Sequence, residues 1–166
     1  MKQKLIYIFL FFLTVNSFAQ KDLDQLLQTY NTLSIPYISV EELRMLQMND
    51  TIIILDAREP NEFEVSHIST AKNIGYNNFS AEEKQLQNLK KDSQIIIYCS
   101  VGIRSERIGG KLKKAGFTNV QNLYGGIFEW KNKKYPVVDD SEIETENIHT
   151  FSKMWSIYLQ AGNPIY

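Results

Sequence analysis

The chain has 166 residues, which is enough for one domain of ordinary size. Apolar residues make up 43% of it and charged residues 22%, close to the averages of soluble globular proteins, which argues against a disordered chain and a multi-span membrane protein. The formal net charge is −1 and the sequence has no long run of lysine and arginine, so we expect no nucleic-acid partner.

The N-terminal residues predict a cleaved signal peptide over residues 1–19. Two lysines precede an apolar stretch at residues 5–13, and the small residues Ser17 and Ala19 resemble a signal-peptidase site. The apolar stretch is too short for a membrane-spanning helix, which needs about 20 apolar residues. We therefore expect an exported protein, periplasmic if the cell has two membranes and secreted otherwise, with no membrane attachment after cleavage.

The pattern after the signal peptide predicts alternating helices and strands. A helical segment is expected within residues 20–36, and Ser39 with Glu42 forms the capping-box pattern that begins a short helix. The apolar, β-branched runs at 52–55 and 95–98 are typical of strands buried on both faces.

Further helices are predicted at 81–90 and 104–115, and a further strand at 120–123. The alternation predicts an α/β domain over residues 37–138, with a central, mostly parallel sheet flanked by helices on both faces. Residues 139–166 predict a C-terminal extension: a polar surface link, then a short helix docked on the domain by an apolar stripe. The stripe consists of Phe151, Met154, Trp155, Tyr158 and Leu159.

Cys99 is the only cysteine, so an intramolecular disulfide is impossible. A buried structural thiol, an intermolecular bridge and a reactive nucleophile remain open, and the neighbouring residues favour the nucleophile. Cys99 lies between a predicted strand and a predicted helix, where loop N–H groups and the positive end of the helix dipole stabilise a thiolate. Gly102 allows the loop to curl around an anion, and Arg104 adds a permanent positive charge.

Residues 99–105, CSVGIRS, resemble the active-site loop C-x-x-G-x-R-S of rhodanese-like domains. Three further segments resemble parts of that family in the same order: DAREPNEF at 56–63, HI at 67–68, and LYGG at 123–126, the last continuing through Trp130 to Pro-Val. The resemblance covers about residues 38–138. It departs from the family where serine precedes the histidine and where Ser-Thr stands at 69–70 in place of Pro-Gly.

The resemblance implies a single-domain sulfurtransferase. The Cys99 thiolate would take the outer sulfur of a small anionic donor such as thiosulfate, hold it as a persulfide, and pass it to a thiophilic acceptor or to an acceptor protein. Residues that would bind the substrate are Ser100, Val101, Gly102, Ile103 and Arg104. Because Ser100 and Val101 are uncharged, selectivity for a doubly charged donor depends on Arg104 and the loop N–H groups, which predicts weak recognition of thiosulfate.

Several charged residues are expected to support the fold rather than to react. We predict that Asp56, Arg58 and Glu62 form a structural ion-pair set beneath the loop, because paired charges are the usual form of buried charge. His67 is expected to be structural, and His149 to be a solvated tail residue. Two scattered histidines and one cysteine give no metal-ligand spacing, so we expect neither a metal nor a cofactor.

Three alternatives to a sulfurtransferase are open. A non-catalytic sulfur carrier or binding module would keep the same loop and serve a dedicated partner. A cysteine phosphatase is disfavoured because its loop is one residue longer between the cysteine and the arginine. Redox sensing through a mixed disulfide is weaker, since no second cysteine is present to resolve it.

Overall fold

The computed structural model describes residues 23–48, 52–82 and 84–166. The predicted signal peptide lies outside these residues. The chain divides into two compact units, Met1–Thr32 and Leu33–Tyr166. In the first unit, residues 23–30 form helix α1. Among the described residues, no helix combines the length and apolar character needed to cross a membrane.

The second unit begins with strand β1, and helices and strands then alternate along the chain. In order they are β1 (Tyr37–Ile38), α2 (Val40–Gln47), β2 (Ile53–Asp56), α3 (Pro60–Val65), β3 (Lys72–Asn73), α4 (Lys84–Gln87), β4 (Ile95–Tyr98), α5 (Ile103–Lys114), β5 (Val120–Leu123), α6 (Gly126–Asn132), β6 (Val137–Val138), β7 (Glu144–Thr145), β8 (Asn147–His149), a 3₁₀ helix (Trp155–Tyr158) and β9 (Asn163–Ile165).

The central sheet has five parallel strands in the order β1-β5-β4-β2-β3. The middle strand, β4, pairs Ile95 with Ile53 of β2 on one side and with Val120 of β5 on the other. All four β4 residues are buried, and successive side chains of a strand point to opposite faces, so both faces of the sheet are covered. The predicted α/β fold with a parallel sheet is confirmed.

The hydrophobic core lies on this sheet. Aliphatic side chains of β2 and β4 pack with residues of α5 and with Ile35 and Phe117 in one buried cluster. The strand residues can bury both faces because helices cover them, which explains why the sequence shows unbroken apolar runs there rather than alternation. The carboxyl ends of β2 and β4 lie side by side, since Asp56 pairs with Tyr98 at the ends of the two strands.

Helix α4 is shorter than predicted. The sequence predicts a helix over residues 81–90, whereas the structure has one turn, Lys84–Gln87. Within residues 85–90, Leu86 is buried and Leu89 is partly buried against the core, and two apolar contacts stabilise little more than one turn.

The C-terminal residues differ more from the expectation. The polar link contains β7, which pairs antiparallel with β6 because the Asp139 carboxylate accepts hydrogen bonds from the N–H groups of Ser141 and Ile143 and forms the turn. The apolar stripe does not form a buried helix face. It contains a single 3₁₀ turn, and Phe151 and Met154 are exposed, because the chain turns back to pair β9 with β8.

Candidate active site

Cys99 lies at the carboxyl end of β4, in the loop that leads into α5. Gly102 is the last loop residue and has φ 108°, a left-handed conformation that favours glycine. The Asn122 side-chain amide donates a hydrogen bond of 2.8 Å to the Gly102 carbonyl. The loop is also held at its start, where the carbonyl of Cys99 accepts a hydrogen bond from the Ile127 N–H of α6. The loop therefore has a fixed shape between β4, β5 and α6.

The Cys99 sulfur accepts hydrogen bonds that favour its ionised form. The backbone N–H of Gly102 lies 3.2 Å from Sγ. The hydroxyl of Ser105 lies 3.4 Å from Sγ and shares its proton with the Asn122 side-chain oxygen, 2.7 Å away. Burial of the thiol opposes ionisation, but the positive charge of Arg104 and the hydrogen bonds from Ser105 and Gly102 outweigh it, so the pKa of Cys99 lies below that of an ordinary cysteine. A thiolate is therefore the accessible nucleophilic form at this position.

Arg104 forms a bidentate ion pair with Glu62. Its Nη1 and Nη2 atoms lie 2.6 and 2.7 Å from the two carboxylate oxygens of Glu62, and Nη2 also donates to the Ser100 hydroxyl at 3.0 Å. Burial raises the pKa of the Glu62 carboxyl, but the hydrogen bond and charge of Arg104 outweigh this, with smaller help from Arg58, and hold that pKa below its usual value. The sequence places Glu62 with Asp56 and Arg58, whereas the structure pairs it with Arg104.

A second ion pair lies behind the loop. Arg58 and Asp56 are both fully buried, and Arg58 Nη2 lies 2.6 Å from an Asp56 carboxylate oxygen. The same nitrogen donates to the Ser66 carbonyl at 2.7 Å, and the guanidinium carbon lies 5.7 Å from the centre of the Tyr98 ring. Tyr98 directly precedes Cys99, and its hydroxyl accepts a hydrogen bond from the Ile68 N–H at 3.2 Å. The buried cluster of Asp56, Arg58 and Tyr98 therefore stabilises the end of β4, directly before Cys99.

His67 packs against α3 and bridges to β6. Its ring stacks on Phe63 with 3.8 Å between the ring centres, and Nδ1 lies 3.1 Å from the Phe63 carbonyl oxygen. Its backbone forms an isolated antiparallel bridge with Val138. These contacts give His67 a structural place.

A pocket with a volume of about 130 Å³ opens above the cysteine. Five predicted site residues line it, and Gly102 contributes its N–H to the sulfur from the loop behind. The lining residues are Cys99, Ser100, Val101, Ile103 and Arg104 from the loop and α5, with Phe151 and Trp155 from the C-terminal extension.

The sequence does not predict that C-terminal residues lie at the site, since its pattern places Phe151 and Trp155 in the core. The Phe151 ring centre lies 5.6 Å from the Arg104 guanidinium carbon, within reach of a cation–π interaction. His149 is half-buried rather than solvated, and its Nδ1 accepts a hydrogen bond of 3.0 Å from the Phe151 N–H. Burial lowers the pKa of His149, the charge of Glu62 opposes this, and the charges of Arg58 and Arg104 act with the burial. In the sequence, Phe151 and Trp155 are visible only as members of the apolar stripe, whose helical spacing indicates core packing.

No cluster of metal-ligating side chains occurs in the part of the chain that the structure describes. The site instead contains the buried Cys99 sulfur with hydrogen-bond donors at Gly102 and Ser105. Arg104, paired with Glu62, lies beside the sulfur, and a small pocket opens in front of it. Chemically, this combination can generate a thiolate and hold a further sulfur atom on it.

Ser105→Ala is expected to slow alkylation of Cys99 at neutral pH by roughly threefold to tenfold. The effect is smaller than the loss of a full hydrogen bond to a charged group, because the Ser105 hydroxyl also donates to the Asn122 side-chain oxygen at 2.7 Å. Because a depressed pKa means that thiolate persists to lower pH, loss of the Ser105 hydroxyl moves the midpoint of the pH–rate curve upward. The measurement is the iodoacetamide alkylation rate between pH 5 and 10, followed by mass spectrometry.

Ser66→Ala is the matched control for that experiment. Ser66 is also fully buried, and its hydroxyl has no hydrogen-bond partner among the described residues. The midpoint should stay at the wild-type value in this variant. Equal shifts in both variants would show that the Ser105 hydroxyl does not stabilise the Cys99 thiolate.

The fold and the loop together define a class of parallel α/β domain that presents a cysteine nucleophile between a central strand and the following helix. Comparison with known proteins gives the family: the profile of the Rhodanese-like domain matches residues 39–133. The chain belongs to the rhodanese-like domain family, which confirms the resemblance seen in the sequence.

Among solved structures, a rhodanese-related protein from Thermoplasma volcanium is 29% identical, with a TM-score of 0.53 over 63% of this chain and 98% of that one. A thiosulfate sulfurtransferase from Pseudomonas aeruginosa is 24% identical, with a TM-score of 0.53 over 63% of this chain and 20% of that one. This second likeness concerns the fold alone.

Among curated relatives, the tRNA uridine(34) hydroxylase of Listeria monocytogenes is 30% identical over 132 residues, which are 77% of this chain and 40% of that protein. The chain therefore spans less than half the length of these relatives. Their name describes a tRNA substrate, so the relatives do not support the sequence-based exclusion of nucleic acid.

Proposed function

We propose that this protein is a sulfurtransferase that carries sulfane sulfur on Cys99. The observation that carries the proposal is the Cys99 sulfur itself, which accepts hydrogen bonds from Gly102 and Ser105 and faces a pocket. Its depressed pKa supplies the nucleophile without a general base, and no histidine is needed near it.

The reaction has two displacements at sulfur. The Cys99 thiolate attacks the outer sulfur of the donor, a new S–S bond forms, and the donor's own S–S bond breaks. With thiosulfate, the electron pair of the broken bond leaves on sulfite, and the persulfide anion remains on Cys99. A thiolate or cyanide acceptor then attacks the terminal sulfur and returns the Cys99 thiolate, so no external oxidant or reductant is required.

The loop supports the persulfide as well as the thiolate. The Gly102 N–H and the Ser105 hydroxyl lie within hydrogen-bonding distance of Sγ, and the positive charge of Arg104 favours an anion beside them. The apolar wall at Val101 and Ile103 limits access of water to the terminal sulfur.

Incubation with thiosulfate or mercaptopyruvate is expected to add the mass of one sulfur atom to the purified protein. Intact-protein mass spectrometry measures the gain, which should be absent in Cys99→Ser and reversed by cyanide. A protein with a free Cys99 thiol that gains no sulfur from any sulfane donor would contradict the proposal.

A sulfur carrier without turnover is the first alternative. It would gain one sulfur and then hold it until a dedicated partner protein arrives. Continuous production of thiocyanate from thiosulfate and cyanide distinguishes the enzyme from the carrier, since a carrier stops after a single persulfidation.

A tRNA substrate is the second candidate, because the relatives of 30% identity are named tRNA uridine(34) hydroxylase. Binding to a tRNA backbone depends on neutralising phosphates, and the net charge of −1 gives little general attraction to them. A salt-sensitive gel shift with tRNA would support this candidate, and its absence at low salt would favour a small-molecule acceptor.

We also propose that the protein is exported, on the pattern of lysines, apolar stretch and small residues within residues 1–19. A free cysteine in an oxidising compartment is vulnerable to oxidation unless it is buried, and Cys99 is only 1% exposed. Immunoblotting of cell fractions tests the location.

A further inference from the structure

The wall of the pocket opposite the cysteine loop comes from the C-terminal extension. Phe151 and Trp155 face the pocket together with Val101 and Ile103, so aromatic and aliphatic side chains supply most of its lining. Apart from the Cys99 thiolate, Arg104 is the charged residue among those that line the pocket.

The C-terminal wall is built into the fold. Thr150 is fully buried, and both its N–H and its hydroxyl donate to the Ile165 carbonyl, at 2.8 and 3.2 Å. Phe151 follows directly with φ 63°, and its N–H donates to His149 Nδ1. The parallel pairing of β8 with β9 fixes this turn, so main-chain bonds of the neighbouring residues and the bond to the His149 ring together position Phe151.

The positive charge at the pocket is already matched. Both terminal nitrogens of Arg104 bind Glu62, whose carboxylate is buried, and the Phe151 ring lies beside the same guanidinium group. With the ionised thiol in place, the pocket carries no excess of positive charge. A dianionic donor such as thiosulfate would lose hydration there without gaining an unpaired cation.

From these contacts we infer that the site takes its sulfur from an organic sulfane-sulfur compound that carries at most one negative charge and an apolar group of about phenyl size. The inference rests on the proposed sulfur transfer and names its substrate class. A cavity of about 150 Å³ lined by apolar side chains holds a benzene ring, and this pocket, at about 130 Å³, is of similar size.

The transfer step balances with such a donor. The Cys99 thiolate attacks the terminal sulfur of a thiosulfonate, R–SO₂–S⁻, and an S–S bond forms as the S–S bond of the donor breaks. The electron pair leaves on the sulfinate, R–SO₂⁻, whose apolar group lies between Phe151 and Ile103. The persulfide anion stays on Cys99, and the total charge is unchanged.

The test compares benzenethiosulfonate with methanethiosulfonate, which share one reacting group and one charge and differ in the apolar group. The rate of Cys99 persulfide formation is measured for both donors in wild type, Phe151→Ala, Trp155→Ala and the control Ile157→Ala. Ile157 lies in the same 3₁₀ turn as Trp155, but its side chain is 72% exposed and does not line the pocket.

For each variant we take the kcat/KM for benzenethiosulfonate divided by the kcat/KM for methanethiosulfonate. The intrinsic reactivities of the two donors are the same in all variants, so a change in this ratio between variants reports a change in binding of the apolar group. The ratio is expected to fall about tenfold in Phe151→Ala and Trp155→Ala, the effect of losing apolar contact with a ring, and to stay unchanged in Ile157→Ala. Thiosulfate should have a KM well above that of benzenethiosulfonate.

The outcomes distinguish this inference from the proposed function. If Cys99 forms the persulfide but the ratio of kcat/KM for benzenethiosulfonate to that for methanethiosulfonate is the same in every variant, the apolar-donor inference is overturned. The proposed sulfur transfer is then unaffected. No persulfide from any of the three donors would overturn the proposed function itself. A lower KM for thiosulfate than for benzenethiosulfonate would also overturn the inference.

Discussion

Replacing Gly126 by alanine is expected to displace the cysteine loop and to reduce sulfur transfer through Cys99 by about 100-fold, the effect of a displacement of about 1 Å at a reacting group. A Cβ atom at Gly126 would overlap with the carbonyl oxygen of Cys99 and lie 2.7 Å from that of Ser100. Both neighbours are backbone atoms, so the loop itself must move. The N–H groups of Ile127 and Phe128 bond to the same two carbonyls and would lose that geometry.

Gly75→Ala is the matched control, because it introduces the same backbone strain without the overlap. Gly75 has φ 65° and Gly126 has φ 56°, and a Cβ at Gly75 meets no atom within 4 Å. Left-handed alanine costs about 1–2 kcal/mol at either position. Urea unfolding and Cys99 persulfide formation are measured for both variants. Wild-type rates of persulfide formation in Gly126→Ala would show that the loop does not depend on its contact with α6.

The central strands and the cysteine loop were predictable because their signals are local. The runs at 52–55 and 95–98 are apolar without interruption, which is the pattern of strands buried on both faces, and β2 and β4 lie there. The loop begins one residue after β4, as the order of strand, cysteine and glycine predicts. A capping box at Ser39 and Glu42 is likewise formed within four residues.

The pairing of Arg104 with Glu62 was not predictable from spacing. The two residues are 42 positions apart, and Arg58 lies closer to Glu62 in the sequence. Which arginine each carboxylate binds depends on how α3 packs near the start of α5, a tertiary contact with no periodic signature. The consequence is chemical, since an arginine that the sequence assigns to a substrate anion is held by a buried carboxylate.

The aromatic wall of the pocket was not predictable for a related reason. Phe151 and Trp155 lie about fifty residues after Cys99, and β8 and β9, which position them, are three residues each. Helical spacing suggested a buried stripe, but the pairing of β8 with β9 turns the chain and leaves Phe151 61% exposed beside Arg104. Short strands carry too few residues for an alternation signal, so tertiary pairing decides the outcome.

Asp56→Asn is expected to destabilise the protein by about 3–5 kcal/mol, because it leaves the fully buried guanidinium of Arg58 without its counter-charge. Arg58 also holds the Ser66 carbonyl and lies over the Tyr98 ring, so the loss reaches the strand that ends at Cys99. Urea unfolding of the purified protein measures the effect. The exposed pair of Lys133 and Glu41 is the control, and Glu41→Gln should cost about 0–1 kcal/mol.

Asp56→Asn also distinguishes an effect on the stability of the fold from an effect on the reactivity of Cys99. Asp56 is not among the groups that set the pKa of Cys99, whereas Arg104, Ser105 and Gly102 are. The folded fraction of Asp56→Asn should therefore alkylate Cys99 with the wild-type pH midpoint, in contrast to Ser105→Ala. A shifted midpoint with unchanged stability would show that the Asp56–Arg58 pair acts on the sulfur rather than on the fold. The expected result would show that the two ion pairs have different functions. The Asp56–Arg58 pair stabilises the end of β4, and the Glu62–Arg104 pair holds the guanidinium beside the thiolate.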